Sequence, residues 1–245
     1  MGIVESTLDK IKRILRYDVF PVLGFRVEKG GYPGYMARRK SVLEEVDTVI
    51  DVGALEGQYA NEIREIGFNG NILSFEPIKE VYQELERNSS NDEKWKVFNM
   101  ALGRYSGKET INVSENMHSS SILDMMKKHK KNAPKSDYVR REKVDVERLD
   151  SLFYDICNAK NSILLKIDTQ GYEDRILKGC EKCIRNISFI QMEMSLQKLY
   201  KESWSLDDAV KKMYNMGFVL ISVEEGFVST NGKLLQVDGI FEYMG

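Results

Sequence analysis

Only three cysteines, four prolines and two histidines occur in 245 residues. So small and odd a set of thiols (Cys157, Cys180, Cys183) cannot build a disulfide framework. The one C-x-x-C, Cys180 with Cys183, falls in the helical-looking stretch "LKGCEKCIRN", with no second pair and no suitably spaced histidine. Structural thiols are therefore expected rather than zinc or redox chemistry. Charge of one sign is also missing. Against 38 Asp+Glu stand 36 Lys+Arg, a formal net of -2, so no global field draws in nucleic acid or an anionic membrane. No apolar run approaches the ~20 residues that a membrane span needs. Residues 1–20 alternate charged and apolar positions, unlike a secretory leader. A cytoplasmic, reducing setting is the expectation.

What is present suits one good-sized core: 42% hydrophobic and 10% aromatic residues, at a length that favours one α/β domain over two. Residues 5–16, "ESTLDKIKRILR", set Leu8, Ile11 and Leu15 at helical spacing behind a Ser/Thr cap. Such a helix can pack on the core or on a second subunit, so a homo-oligomer stays open. "EKGGYPGYMARRK" (28–40) reads as a basic loop marked by Gly30, Gly31, Pro33 and Gly34. Residues 1–45 are thus an expected helix-and-loop extension, and 46–245 the main domain.

From Thr48 the rhythm changes. "TVIDVGA", "NILSFEP" and "WKVFNMALG" read as strands, with "QYANEIREIG" and "KEVYQELERN" as helices between them. The alternation resumes with "ILLKID", "YEDRILKG", "FIQMEMS" and "SLDDAVKKMYNMG". Strand and helix alternating in this way predict βαβ units and a doubly wound, mostly parallel sheet. "FVLISV" and "LLQVDGIFEY" are joined by a loop too short for a crossover helix, which predicts a C-terminal antiparallel hairpin. Between the halves, residues 114–143 carry a polar, basic run: Lys127, Lys128, Lys130, Lys131, Lys135, Arg140, Arg141 and Lys143. Two roles are open to it, a lid over a site that meets an anionic group, or a solvated loop.

In open α/β sheets ligands bind beyond the carboxyl ends of the strands. Asp51, Gly53, Glu76, Asn99, Asp168 and Glu193 should therefore share one edge. In "DVGALEG" (51–57), Gly53 permits a tight turn and Gly57 a close approach of backbone to ligand. A dinucleotide fingerprint needs a second glycine where Leu55 stands, so NAD and FAD are disfavoured. Glu76 follows Gly53 by 23 residues (76 − 53), where an acid accepts hydrogen bonds from ribose hydroxyls. An adenosyl cofactor without phosphates fits both facts, which points to S-adenosylmethionine.

The blocks "IDVGALEGQY", "ILSFEP", "NMALG", "SSSIL", "LLKIDTQGYEDRILKG" and "MEMSLQKLY", in that order, resemble the FkbM family of S-adenosylmethionine-dependent methyltransferases over roughly residues 46 to 222. The family pattern has Asn where this chain has Leu55. The resemblance implies a Rossmann-like class I methyltransferase fold and O-methylation of a hydroxyl on a sugar, glycan or related natural product. It implies that Asp51, Gly53, Ala54 and Gly57 surround the methionine part, that Glu76 meets the ribose, and that Asn99 and Ala101 lie near the adenine. Asp168 would face the reacting centre, and Ser120, in the serine cluster 119–121, would approach the cofactor. Blander roles remain for several of them: a turn cap for Asn99, packing for Ala101, a flexible loop for the serines.

Methyl transfer to an alcohol is helped by a base within reach. Asp168 is the first candidate and Glu193 the second; His118 is either a third base or a solvent-facing loop residue. Glu173, one residue into a helix, reads as a structural first-turn acid. No adjacent acidic pair follows the fourth strand, so no metal is expected, although Asp168 with Glu193 is the pair that would hold Mg²⁺. Two alternatives share the same cofactor site: N-methylation of an amino sugar or small amine, and a non-catalytic cofactor-binding subunit. The expected partner is a small-molecule or glycan acceptor, anionic if the basic run meets it, with no nucleic acid.

Overall fold

The computed structural model describes residues 35–245 apart from 134, 159, 160 and 230, with side chains from residue 38 onward. The expected helix over 5–16 and the glycine-rich part of the 28–40 loop lie outside the described residues. Everything below concerns the compact unit Arg39–Gly245 and the helix that enters it. That helix, α1 (Tyr35–Glu45), corrects the reading of 28–40 as loop throughout. Met, Ala, Arg and Lys at 36–40 are strong helix formers. Arg39 is buried: its guanidinium bonds Glu62 at 2.9 and 3.0 Å and lies over the Tyr59 ring, 4.4 Å from the centroid.

The next five elements follow the sequence reading closely: β1 (Thr48–Val52), α2 (Gln58–Glu65), β2 (Asn71–Phe75), α3 (Lys79–Ser89) and β3 (Trp95–Phe98). After β3 the chain leaves the main sheet. β4 (Ala101–Leu102), β5 (Gly107–Ser114) and β6 (Tyr138–Glu147) form a second sheet in the order β4-β6-β5, with the short helix α4 (Lys127–Asn132) between β5 and β6. "WKVFNMALG" is therefore two strands in two sheets. Residues 138–143, expected in a lid, belong to β6 and pair antiparallel with β5. The basic run is also partly neutralised within the chain. Lys130 pairs with Asp137 at 2.6 Å, Lys135 with Glu115 at 3.7 Å, and Arg140 with Glu142 at 2.6 Å and Glu80 at 2.9 Å.

α5 (Leu149–Ile156), unforeseen in the sequence, leads back to β7 (Ile163–Ile167), α6 (Glu173–Lys178), a 3-10 turn (Ile184–Asn186), β8 (Phe189–Ser195), α7 (Leu206–Asn215), β9 (Phe218–Glu225) and β10 (Gln236–Tyr243). The main sheet runs β3-β2-β1-β7-β8-β10-β9. Its first five strands are parallel, and β10 lies antiparallel between β8 and β9. β1 and β7 are buried at every position, as "TVIDV" and "ILLKI" lead one to expect of central parallel strands. Strand order reverses between them, so the ligand-binding edge lies where β1 and β7 end. The core below that edge includes Phe75, Phe153, Phe218 and Phe241, each contributing about 1.5–3 kcal/mol by burial. Cys157, Cys180 and Cys183 are free thiols in the same core. Among the described residues no helix is long and apolar enough to cross a membrane.

His129, on α4, is buried against the rings of Tyr200 and Phe227, with centroids 5.2 and 5.7 Å away. Burial lowers its pKa from the ordinary 6.5 to about 4. Between those values the unfolded chain binds a proton that the folded protein refuses, so stability is lost as pH falls from 6.5 towards 4. Glu76 and Glu173, raised by burial to about 7, act in the opposite sense between 4.5 and 7, so the test must be differential. On going from pH 7 to pH 5, the wild type should lose about 1–2 kcal/mol of unfolding free energy relative to His129→Leu, measured by urea denaturation. Equal losses in both proteins would mean that His129 is not held neutral.

Candidate active site

The loop after β1 is built from alternating backbone hands. Gly53 has φ 76°, Leu55 φ 48° and Gly57 φ 95°. A Cβ on Gly53 would stand 2.0 Å from the Asp168 carbonyl oxygen, so only glycine lets the ends of β1 and β7 come this close. Gly57 answers to packing: a Cβ there would meet the Trp95 ring at 2.6 Å. Leu55 occupies the left-handed region, which Asn enters more easily than Leu. That gives a backbone reason for the asparagine of the family pattern. The N–H groups of this loop are already engaged. Gly53 and Ala54 donate to the Phe75 carbonyl at 3.1 and 3.2 Å, Leu55 donates to Glu76 Oε2 at 3.1 Å, and Gly57 donates to Ala54 O at 2.9 Å. A pyrophosphate would need such N–H groups free.

Glu76, at the end of β2, is buried. Its Oε2 accepts from Leu55 N–H, and its Oε1 accepts from Ile78 N–H at 2.8 Å. Burial outweighs these bonds and raises its pKa to about 7. Each carboxylate oxygen still has a second lone pair. Asn99 lies off the cleft and braces this corner, donating from Nδ2 to the carbonyls of Glu76 at 3.0 Å and Pro77 at 3.2 Å.

A cleft of about 730 Å³, its open mouth included, begins at Glu76. Phe75, Ile78, Ala101, Leu102, Ile111 and Ile122 supply its apolar lining; the cover segment 117–122 contributes Met117, His118, Ser120 and Ser121, and the loop after β7 contributes Asp168, Thr169 and Gln170. Of the residues named from the sequence, Gly53, Glu76, Ala101, His118, Ser120 and Asp168 line this single space. Asp51, Ala54, Gly57, Asn99 and Glu193 do not line it. His118 is exposed, and Ser120 Oγ accepts from Ser114 N–H at 3.0 Å.

Asp51 lies beneath the loop, fully buried, where its Oδ1 pairs with Lys166 Nζ at 3.0 Å. The same ammonium donates to Gly53 O at 3.2 Å and stands 3.9 Å from Asp168 Oδ2. Burial works against the charge on Lys166, but Asp51 and Asp168 overcome it and raise its pKa. Asp168 itself is open, its side chain 43% exposed in the cleft. Glu193 reaches the cleft only through Gln170, whose Nε2 donates to Glu193 Oε2 at 3.2 Å and to Asp168 Oδ1 at 3.1 Å. Burial, then Asp168 and Asp238, raise the Glu193 pKa. Glu173 folds back on its own loop: its Oε1 accepts from Gly171 N–H at 2.9 Å and Thr169 N–H at 3.3 Å, the structural role expected of it. Sequence alone assigns no role to Lys166, Tyr200 or Gln170, the last of them within the polar "DTQGYE" at the strand end. A lysine inside the otherwise apolar "ILLKI" was the available signal for the first.

The donor set fits an adenosine. A carboxylate with two vacant lone pairs suits vicinal hydroxyls, and the apolar slot beside it suits a purine. The solved structures of similar fold include an rRNA methylase from Streptococcus thermophilus, with 11% identity, a TM-score of 0.46, and 89% of this chain and 100% of that one covered. They also include magnesium protoporphyrin IX methyltransferase from Synechocystis PCC 6803 with bound SAM, with 7% identity, a TM-score of 0.44, and 99% and 100% covered. No curated protein matches the chain. The sequence pattern described as "Methyltransferase FkbM domain" matches residues 51–220, more than half of the chain and every residue that lines the cleft. The chain belongs to the FkbM family, and it is an S-adenosylmethionine-dependent methyltransferase.

Proposed function

We propose that this methyltransferase transfers the methyl group to a hydroxyl of a sugar, a glycan or a related natural product. One observation supports the reading above others: Asp168, a half-open carboxylate, lines the same cleft as Glu76. A neutral alcohol needs such a group, because it attacks well only as its proton leaves. The carbohydrate class follows the family resemblance. In this reading Glu76 holds the ribose hydroxyls, Ala101, Leu102 and Ile78 flank the adenine, and Gly53 with Leu55 borders the methionine end. When bound, S-adenosylmethionine supplies an electrophilic methyl group. Asp168 takes the acceptor proton, with Lys166 and Gln170 holding its carboxylate, while the cleft fixes the acceptor oxygen in line, which is most of what a displacement requires.

The acceptor is found by incubating the protein with methyl-labelled S-adenosylmethionine and a panel of cell-surface glycans, nucleotide sugars, polyols and amino sugars. Label on oxygen supports the proposal; label only on nitrogen overturns it. Asp168→Asn should lower turnover of the acceptor so found by ~10²–10⁴ while S-adenosylhomocysteine affinity stays within about threefold. Equal loss of both would make Asp168 a cofactor ligand.

Glu76 makes cofactor binding sensitive to pH. The ribose hydroxyls donate best to its ionised form, and in the free protein that form is lost as pH falls through about 7. Calorimetry with S-adenosylhomocysteine should find affinity about tenfold weaker at pH 6 than at pH 8, in proportion to the ionised fraction. Glu76→Gln should bind about tenfold or more weakly at pH 8 and show a flatter profile. An identical pH profile in the variant would remove Glu76 from the site.

A further inference from the structure

Gln170 holds a backbone conformation that a long side chain seldom takes: φ is 56°, and Gly171 follows at 97°. Such strain persists where the surroundings dictate it. Here they do so through every polar atom of the side chain. Both amide protons are engaged, one on Asp168 Oδ1 at 3.1 Å and the other on Glu193 Oε2 at 3.2 Å. Gln170 Oε1 accepts from the Tyr200 hydroxyl at 2.8 Å, and the Gln170 backbone carbonyl accepts from the Ser121 hydroxyl at 2.9 Å. Only a carboxamide can donate twice and also accept in this way, and Asn is one methylene shorter. A glutamate would remove both donors and set a third carboxylate beside two.

Tyr200 extends the chain of contacts to the cover of the cleft. It is buried, and its hydroxyl also lies 3.2 Å from the Ser119 carbonyl. The His129 ring packs against it, and His129 Nε2 is 3.3 Å from Ser119 Oγ. Burial raises the phenol pKa, so the hydroxyl keeps its proton and remains a donor. The fit is close in the backbone as well: a Cβ on Gly171 would stand 2.9 Å from Tyr200 Cβ. The cover residues 117–122 are thus tied to the Asp168 loop twice, through Ser121 to Gln170 and through Ser119 to Tyr200.

We propose that Gln170 and Tyr200 are positioning residues for the methyl transfer: Gln170 aims the Asp168 carboxylate into the cleft, and Tyr200 couples that aim to the cover segment 117–122. The first half rests on the reading of Asp168 as the base; the second half stands without it.

Three variants of the full chain separate the links. Gln170→Glu keeps an acceptor for Tyr200 but loses both donors to the carboxylates. Tyr200→Phe keeps those donors but loses the link to the cover. Gln170→Leu loses the donors and also the acceptor that orients the Tyr200 hydroxyl, at similar volume. Hydrogen exchange, free and with S-adenosylhomocysteine as the probe, reads the cover. Exchange across 117–122 should be about two- to tenfold faster in Tyr200→Phe and Gln170→Leu. It should match wild type in Gln170→Glu, with β1 to β3 unaltered in all three. A packing role would instead treat Glu and Leu alike. Unchanged exchange in Tyr200→Phe, or the same acceleration in all three variants, overturns the coupling. With the acceptor from the panel, Gln170→Glu should lower kcat about tenfold or more while the cofactor KM moves less than about twofold. A normal kcat overturns the aiming role. Full activity in Asp168→Asn alongside the expected exchange pattern would sink the base reading and leave the coupling standing.

Discussion

The ion pair between Asp51 and Lys166 binds the two central strands at the level where both functional loops begin. The residues are partners in the parallel register of β1 and β7, and both are removed from water. Charges so placed are expensive to bury and more expensive to separate, since removing one partner typically costs 3–5 kcal/mol. Lys166 also holds the Gly53 carbonyl and stands near Asp168, so one ammonium ties the glycine turn on one side to the acid on the other. With the Gly53 backbone packed on the Asp168 carbonyl, neither loop can shift alone.

On that platform two carboxyl groups meet different surroundings. Glu76 is sealed in, held by two backbone N–H groups and pushed towards the protonated form by burial. Asp168 is open to the cleft and steadied by an amide and a distant ammonium. In the proposed reading Glu76 accepts from the ribose hydroxyls and Asp168 takes the acceptor proton, so the environment rather than the residue type would divide the labour.

Much of this was legible in the sequence because the βαβ alternation is carried by buried strands. "TVIDV", "NILSF", "ILLKI" and "FIQMEMS" are each apolar enough to stand out, and the edge they share follows from topology. The spacing of Glu76 from Gly53 needed only that topology. β6 was not legible, because "YVRREKVDVE" exposes charged residues along most of its length and buries only Val144 and Val146. The start of α1 reads as loop because Gly30, Gly31, Pro33 and Gly34 stand just before it, and the burial of Arg39 depends on Tyr59 and Glu62, partners twenty or more positions away along the chain. Gln170, within the polar "DTQGYE" that the sequence puts at the rim, gets no role from local pattern, because its meaning depends on Tyr200, which that pattern does not connect to it.

The place of β10 between β8 and β9 bears on how the chain is made. A chain synthesised from its amino end produces β9 before the strand that joins it to the sheet. Until β10 emerges, Phe218 and Leu220 have no seat in the sheet, and the edge of β8 that β10 later occupies carries unpaired backbone groups. The ends of β1 and β7 make their backbone hydrogen bonds without either strand. Nascent protein thus passes through a stage in which the cleft can form while an adjacent strand edge is still open, the kind of edge that recruits other chains. Closure of the sheet by its last strand ends that exposure.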